Sequence, residues 1–147
     1  MTTPSYETDF YAWAAQQAAA LRAKDWAALD LAHLAEEVED LRKTERRGVQ
    51  SQLRLILSHL LKWASQPARR SYSWRTTIAN GRVLVQEALE DLPSLARELP
   101  ALATAAYPRA RRDAAKATGL LLATFPEACP WPLARMLDAD FWPEDRP

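Results

Sequence analysis

Apolar residues recur along this chain with the three-and-four spacing of α-helices. Phe10, Trp13, Ala14, Ala18 and Leu21 form one stripe, which predicts a first helix from Asp9 to Arg22 with Thr8 as its N-cap. Asp25 to Leu29 reads as a short turn. Asp30 then caps a second helix whose stripe is Leu31, Leu34, Ala35, Val38 and Leu41. A further stripe, Val49, Leu53, Ile56, Leu57, Leu60 and Trp63, points within roughly 40° of it at about 100° per residue, so one long helix to Ala64 is favoured. The alternative is a hinge at Gly48 and the polar run Arg42 to Arg47, with Thr44 capping a new helix.

Pro67 ends that helix, because proline expels the preceding residue from helical geometry and cannot donate a hydrogen bond. After a loop from Gln66 to Tyr72, Ser71 or Ser73 caps a third helix carrying Trp74, Ile78, Val85, Ala88 and Leu89 to about Asp91. Pro93 opens a fourth with Leu95, Leu99 and Leu102, which Pro100 kinks or splits. Pro108 is placed in the first turn of a fifth, with Ala110, Ala114 and Ala117, ended by Gly119. The remainder is too rich in proline for a long helix and too apolar for disorder. Phe125, Trp131, Leu133, Met136, Leu137, Phe141 and Trp142 predict an ordered tail wrapping the core, with one short helix near Pro132 to Leu137.

Composition agrees with this all-α picture. Among 147 residues only 3 are Gly, and no Asn-Gly or Asp-Gly turn is flanked by alternating apolar residues. The expected fold is all-α, a single-domain up-and-down helical bundle over residues 1–147 with one long central helix and a Pro/Trp-rich tail. The polar, acidic N-terminus and the absence of a long apolar run predict a cytosolic protein, without membrane span or targeting peptide. A lone Cys129 excludes an internal disulfide and a Cys-rich zinc site.

The formal net charge of 0 conceals segregation. Residues 1–40 carry 2 basic against 8 acidic side chains, residues 41–82 carry 10 basic against Glu45 alone, and the rest carry 7 against 10. The blocks either match internally or present a basic surface to a partner; internal matching is expected for most of the charge. The most site-like stretch is Lys62 to Arg75. Lys62, Arg69, Arg70, Ser71, Ser73 and Arg75 surround the end of one helix and the start of the next, where backbone N–H groups and arginine forks attract phosphate or carboxylate. Trp63, Tyr72 and Trp74 interleave with them, as stacking rings do in single-strand nucleic-acid binders, although core packing of both tryptophans accounts for the pattern equally simply.

A second candidate is His33 with Glu36, Glu37, Glu39 and Asp40, four of which (His33, Glu36, Glu37, Asp40) share one polar helix face suited to a divalent metal, with Glu87, Glu90 and Asp91 as the only partner motif. A solvated face explains it as well. If the long helix is continuous, His33 and His59 are roughly 40 Å apart and cannot share a metal. Cys129 lacks a nearby His, Ser58 beside His59 lacks a nucleophile elbow, and no glycine-rich phosphate loop exists, so no cofactor is implied and catalysis has little support.

The string Asp9-Phe10-Tyr11-Ala12-Trp13, Leu29-Asp30-Leu31 leading into Leu34 to Leu41, His59 to Trp63, Gln66-Pro67 with Arg70 to Arg75, and Phe125 to Pro130 resembles the bacterial domain-of-unknown-function family 29, from Tyr6 to Pro143. The resemblance implies a small cytosolic helical bundle and brings no activity or residue roles. His59, Lys62, Trp63, Arg70, Ser73, Trp74 and Arg75 fit its pattern; His33 stands where Asn is expected. The leading expectation is therefore a non-enzymatic interaction module whose basic loop engages an acidic protein or a phosphate. The alternatives are a metal-dependent hydrolase using the helix carboxylates and a scaffold with internally paired charges.

Overall fold

The computed structural model describes residues 3–144, so the outermost residues of the expected 1–147 domain lie outside it. Among the described residues it is helical, with no strand. The chain divides into two compact units, Met1–Thr44 and Glu45–Pro147. One helix, α2, contributes to both.

In the first unit α1 spans Phe10–Ala23 and α2 begins at Leu31. Asp9 rather than Thr8 caps α1, its carboxylate accepting from Ala12 N at 3.0 Å, because Thr8 is engaged in a local turn with Ser5. Lys24 adopts a left-handed conformation (φ 57°) that stops the helix, and a 3-10 turn at Trp26–Ala28 reverses the chain. Asp30 caps α2 as expected, accepting from His33 N. The hairpin is held by a polar clasp. Gln17, buried, bonds to Ala28 O and to Asp30 N, and the Trp13 indole donates to the Asp30 carboxylate at 3.1 Å.

The expected apolar stripes of this unit do not form its core. Only Trp13, Gln17 and Ala20 of α1 are buried, whereas Leu31, Val38 and Leu41 are 69%, 65% and 70% exposed. The reason is which side of α2 α1 meets. Trp13 of α1 meets Asp30 and His33, and Tyr6 of the turn before α1 meets His33 and Glu37, roughly a quarter turn around the helix from the leucine stripe. Tyr6 stacks on His33 with ring centroids 4.0 Å apart and donates its hydroxyl to Glu37.

In the second unit the large core assembles. α2 runs unbroken from Leu31 to Ser65, so the hinge considered between Arg42 and Gly48 is absent. Leu53, Ile56, Leu57 and Leu60 pack against Ile78 and Val85 of α3 (Tyr72–Asp91) and against Leu102, Ala106, Ala110 and Ala114 of α4 (Leu99–Thr118). Burying such side chains stabilises by about 1.5–3 kcal/mol each. Gly81 lets α3 approach closely, since a Cβ there would sit 2.7 Å from Ile56 Cγ1. Ser71 caps α3, accepting from Trp74 N at 3.2 Å.

The fourth and fifth expected helices are one. Pro93–Arg97 forms a 3-10 turn, Pro100 sits in the first turn of α4, and α4 continues through Pro108 to the left-handed Gly119. An interior proline costs about 3 kcal/mol; here it is exposed, while Ala106, Tyr107 and Ala110 on either side are buried and hold the helix together. The tail packs as expected: Phe125 and Met136 enter the core, and Trp131, Leu133, Leu137 and Trp142 cover it, with a short α5 at Leu133–Leu137. Tyr107 donates to Pro126 O and Arg111 donates to Phe125 O, fastening the chain after α4. No helix among the described residues is long and apolar enough to cross a membrane.

Candidate anion-binding site

The end of α2, the start of α3 and the tail converge on two indoles. Trp63, in the last turn of α2, and Trp142 lie with ring centroids 4.7 Å apart. Pro67 forces α2 to stop and a 3-10 turn, Pro67–Arg69, carries the chain to the Ser71 cap, which places Arg70 back over the Trp63 ring at 5.1 Å. Arg75, one turn into α3, spans both rings, 5.9 Å from Trp63 and 5.0 Å from Trp142. Arg82, two turns further along the same face, lies 5.3 Å from Trp142. Cations gain from the faces of indoles, more so when desolvated.

Each guanidinium plays a different part. Arg70 donates to Trp63 O at 2.9 Å and to Pro143 O. Arg82 is 4% exposed; its Nε and Nη2 donate to Met136 O and Phe141 O, each at 2.8 Å. Its Nη1 is buried without a hydrogen-bond partner, and burial pushes its pKa below the ordinary arginine value. A buried unpaired donor of a charged group is costly. Arg75 is exposed and, like Arg82, takes part in no ion pair among the described residues.

Of the residues expected at the site, Trp63, Arg70 and Arg75 come together. Lys62 lies 4.8 Å over the Trp74 ring and 3.4 Å from His59 Nε2; burial lowers its pKa, and burial also lowers that of His59, with the Lys62 charge adding. Ser71 is used as the cap, while Arg69 and Ser73 are exposed. Of the three aromatics, Trp63 is buried, Trp74 half-buried and Tyr72 exposed. Arg82 and Trp142 were missed. The seven-residue spacing of Arg75 and Arg82 on one helix was a signal; Trp142 was expected to cover the core, and nothing in the tail placed it beside Arg75.

The chain belongs to the DUF29 family. The family model, a domain of unknown function, matches residues 5–142, which covers every member of this cluster. No curated protein and no solved structure matches the chain. DUF29 therefore contributes an identity without an activity, and the chemistry rests on the geometry.

The charge blocks of this DUF29 chain are matched differently from expectation. Glu39 and Asp40 pair with Arg42 and Lys43 within α2, while Arg46 and Arg54 of the basic block pair with Glu98 and Asp113 of the third. These pairs of Glu39 and Asp40 join helix neighbours, which exchange little energy in water. The proposed metal ligands are engaged otherwise. His33 Nδ1 is 2.7 Å from Asp30, a bond that raises its pKa, and Glu37 accepts from Tyr6, pushing that phenol up to about 12. Glu36 is exposed, Asp40 faces Lys43, and no cluster of three or more potential ligands occurs among the described residues. Cys129 is half-buried, and burial raises its thiol pKa, the opposite of nucleophile activation.

Proposed function

We propose that this DUF29 chain is a non-enzymatic, up-and-down helical interaction module that binds an anionic group at Arg75 and Arg82, beside Trp142. The group is a phosphate or a carboxylate of an acidic protein partner. The observation that carries the proposal is the buried, unpaired Nη1 of Arg82 next to an exposed Arg75 with no carboxylate paired to it. The exposed Arg75 guanidinium, held against the Trp63 and Trp142 rings, is oriented to donate to the anion, and the charge of the buried Arg82 on the same helix face adds attraction; a charge-assisted hydrogen bond contributes about 1.5–3 kcal/mol. Arg70, over the Trp63 ring, borders the site.

The carbonyl bonds of Arg82 favour a second reading, in which the cluster is a clamp fastening the tail. Arg75 separates the two. Calorimetric titration with inorganic phosphate and with an acidic peptide is expected to show binding that weakens with salt and is lost in Arg75→Ala. Absence of binding to both, with the Arg75→Ala fold intact, leaves only the clamp.

A further inference from the structure

We propose that the stripe of exposed Leu31, Val38 and Leu41 with half-buried Leu34 is the contact surface for a second copy of this chain, paired antiparallel about a two-fold axis at the level of Glu36. The proposal is independent of the anion site.

Three observations carry it. First, α2 has 35 residues but α3 and α4 have 20 each, and within the second unit they reach along α2 only to Glu45 and Arg46. Glu45 borders a cavity with Leu84, Ala88 and Leu92, and Arg46 pairs with Glu98 just before α4. The stripe on residues 31–41 is left bare, with α1 on another side of the helix. Contiguous apolar surface of this kind is uncommon on monomers.

Second, the stripe is self-complementary. Its spacing of three, four and three residues is the heptad seam of a coiled coil, and it reads the same in both directions about residue 36. In an antiparallel pair Leu31 meets Leu41, Leu34 meets Val38, and Ala35 lies beside its own copy, where a small side chain permits close approach. An isologous two-fold contact needs this property. The next position of the series is Glu45, so the seam ends where the bare surface ends.

Third, charge favours the antiparallel direction. The acidic Glu36, Glu39 and Asp40 occupy positions facing away from the seam. Antiparallel pairing carries Arg42 to the level of Asp30, the cap of the second copy's α2, whereas a parallel pair sets each cluster against its like. Phe10, Leu21 and Trp26 of the same hairpin are also exposed apolar groups.

Sedimentation of the full chain in the micromolar range is expected to give twice the monomer mass. Val38→Glu and Leu41→Glu are expected to return it to the monomer mass with unchanged helical circular dichroism, because both side chains are already exposed in the single chain. In a Cys129→Ser background, Ala35→Cys is expected to be captured as a covalent dimer by a short bismaleimide. Thr44→Cys is expected to escape, since antiparallel pairing separates the two copies of residue 44 by about 24 Å along the axis. A wild-type monomer throughout that range, or a dimer indifferent to Val38→Glu, overturns the proposal. So does cross-linking of Thr44→Cys as readily as Ala35→Cys.

Discussion

The two halves of α2 carry apolar stripes of the same kind and nearly the same direction, yet Leu53, Ile56, Leu57 and Leu60 are inaccessible to solvent while Leu31, Val38 and Leu41 stand mostly exposed. Periodicity marks the face a helix has available for burial; a partner within reach decides whether burial happens. The second unit supplies partners in α3, α4 and the tail. The first supplies α1 and the turn before it, which meet α2 through hydrogen bonds and ring stacking around Trp13, Gln17 and Tyr6 and leave Leu31, Val38 and Leu41 bare. One half of the helix is thus held by an apolar core and the other by a polar clasp.

The largest test of this contrast is truncation of equivalent leucines. Leu57→Ala is expected to destabilise the chain by about 2–5 kcal/mol in denaturant titration. Leu41→Ala is expected to change the stability of the isolated chain by no more than about 0.5 kcal/mol, the usual range for exposed sites. Equal losses would abolish the distinction between the halves. Next comes Gly81→Ala, which overpacks the α2–α3 contact against Ile56 and is expected to cost about 1–3 kcal/mol despite the better helix propensity of alanine. A gain in stability there would mean that the two helices are free to part.

A smaller effect sharpens the other side of the comparison. The Asp30 bond raises the pKa of His33 and lowers that of Asp30. The His33 contribution is therefore complete below its ordinary value of about 6.5 and is lost as pH rises through the raised folded value, while the Asp30 contribution disappears as pH falls through its own lowered value. Hydrogen-exchange protection of α1 is expected to peak at mildly acidic pH, between these limits, and to lose its alkaline slope in His33→Gln. Protection around Leu57 is not expected to follow the same profile. The smallest effect is expected for Tyr6→Phe, which removes the bond to Glu37 but keeps the ring on His33, and lowers the exchange protection of α1 slightly.

Much of this was legible residue by residue. Asp30 as a cap, Pro67 as a stop, Ser71 as the start of α3 and Gly119 as the end of α4 act through neighbours in sequence, so local chemistry suffices to place them. Pro108 misled because its local cost is overridden by the burial of Tyr107 and Ala110, a matter of what lies across the core. At the site, Trp63, Arg70 and Arg75 were found as a motif, while Trp142 joins them from beyond the end of α5 and its approach depends on the course of the tail.

What the sequence by itself determined is the all-α class, most helix ends, the apolar faces and the family, because capping, proline geometry and a 3.6-residue period are properties of short stretches of chain. Only the tertiary structure decided which faces are covered and which charges meet. It directed Arg46 and Arg54 to Glu98 and Asp113, set Arg82 beneath Trp142, and left the Leu31–Leu41 stripe open. The physical reason is that burial and ion pairing depend on distance in space, and a stripe or a charge specifies its own side of a helix without specifying what arrives there.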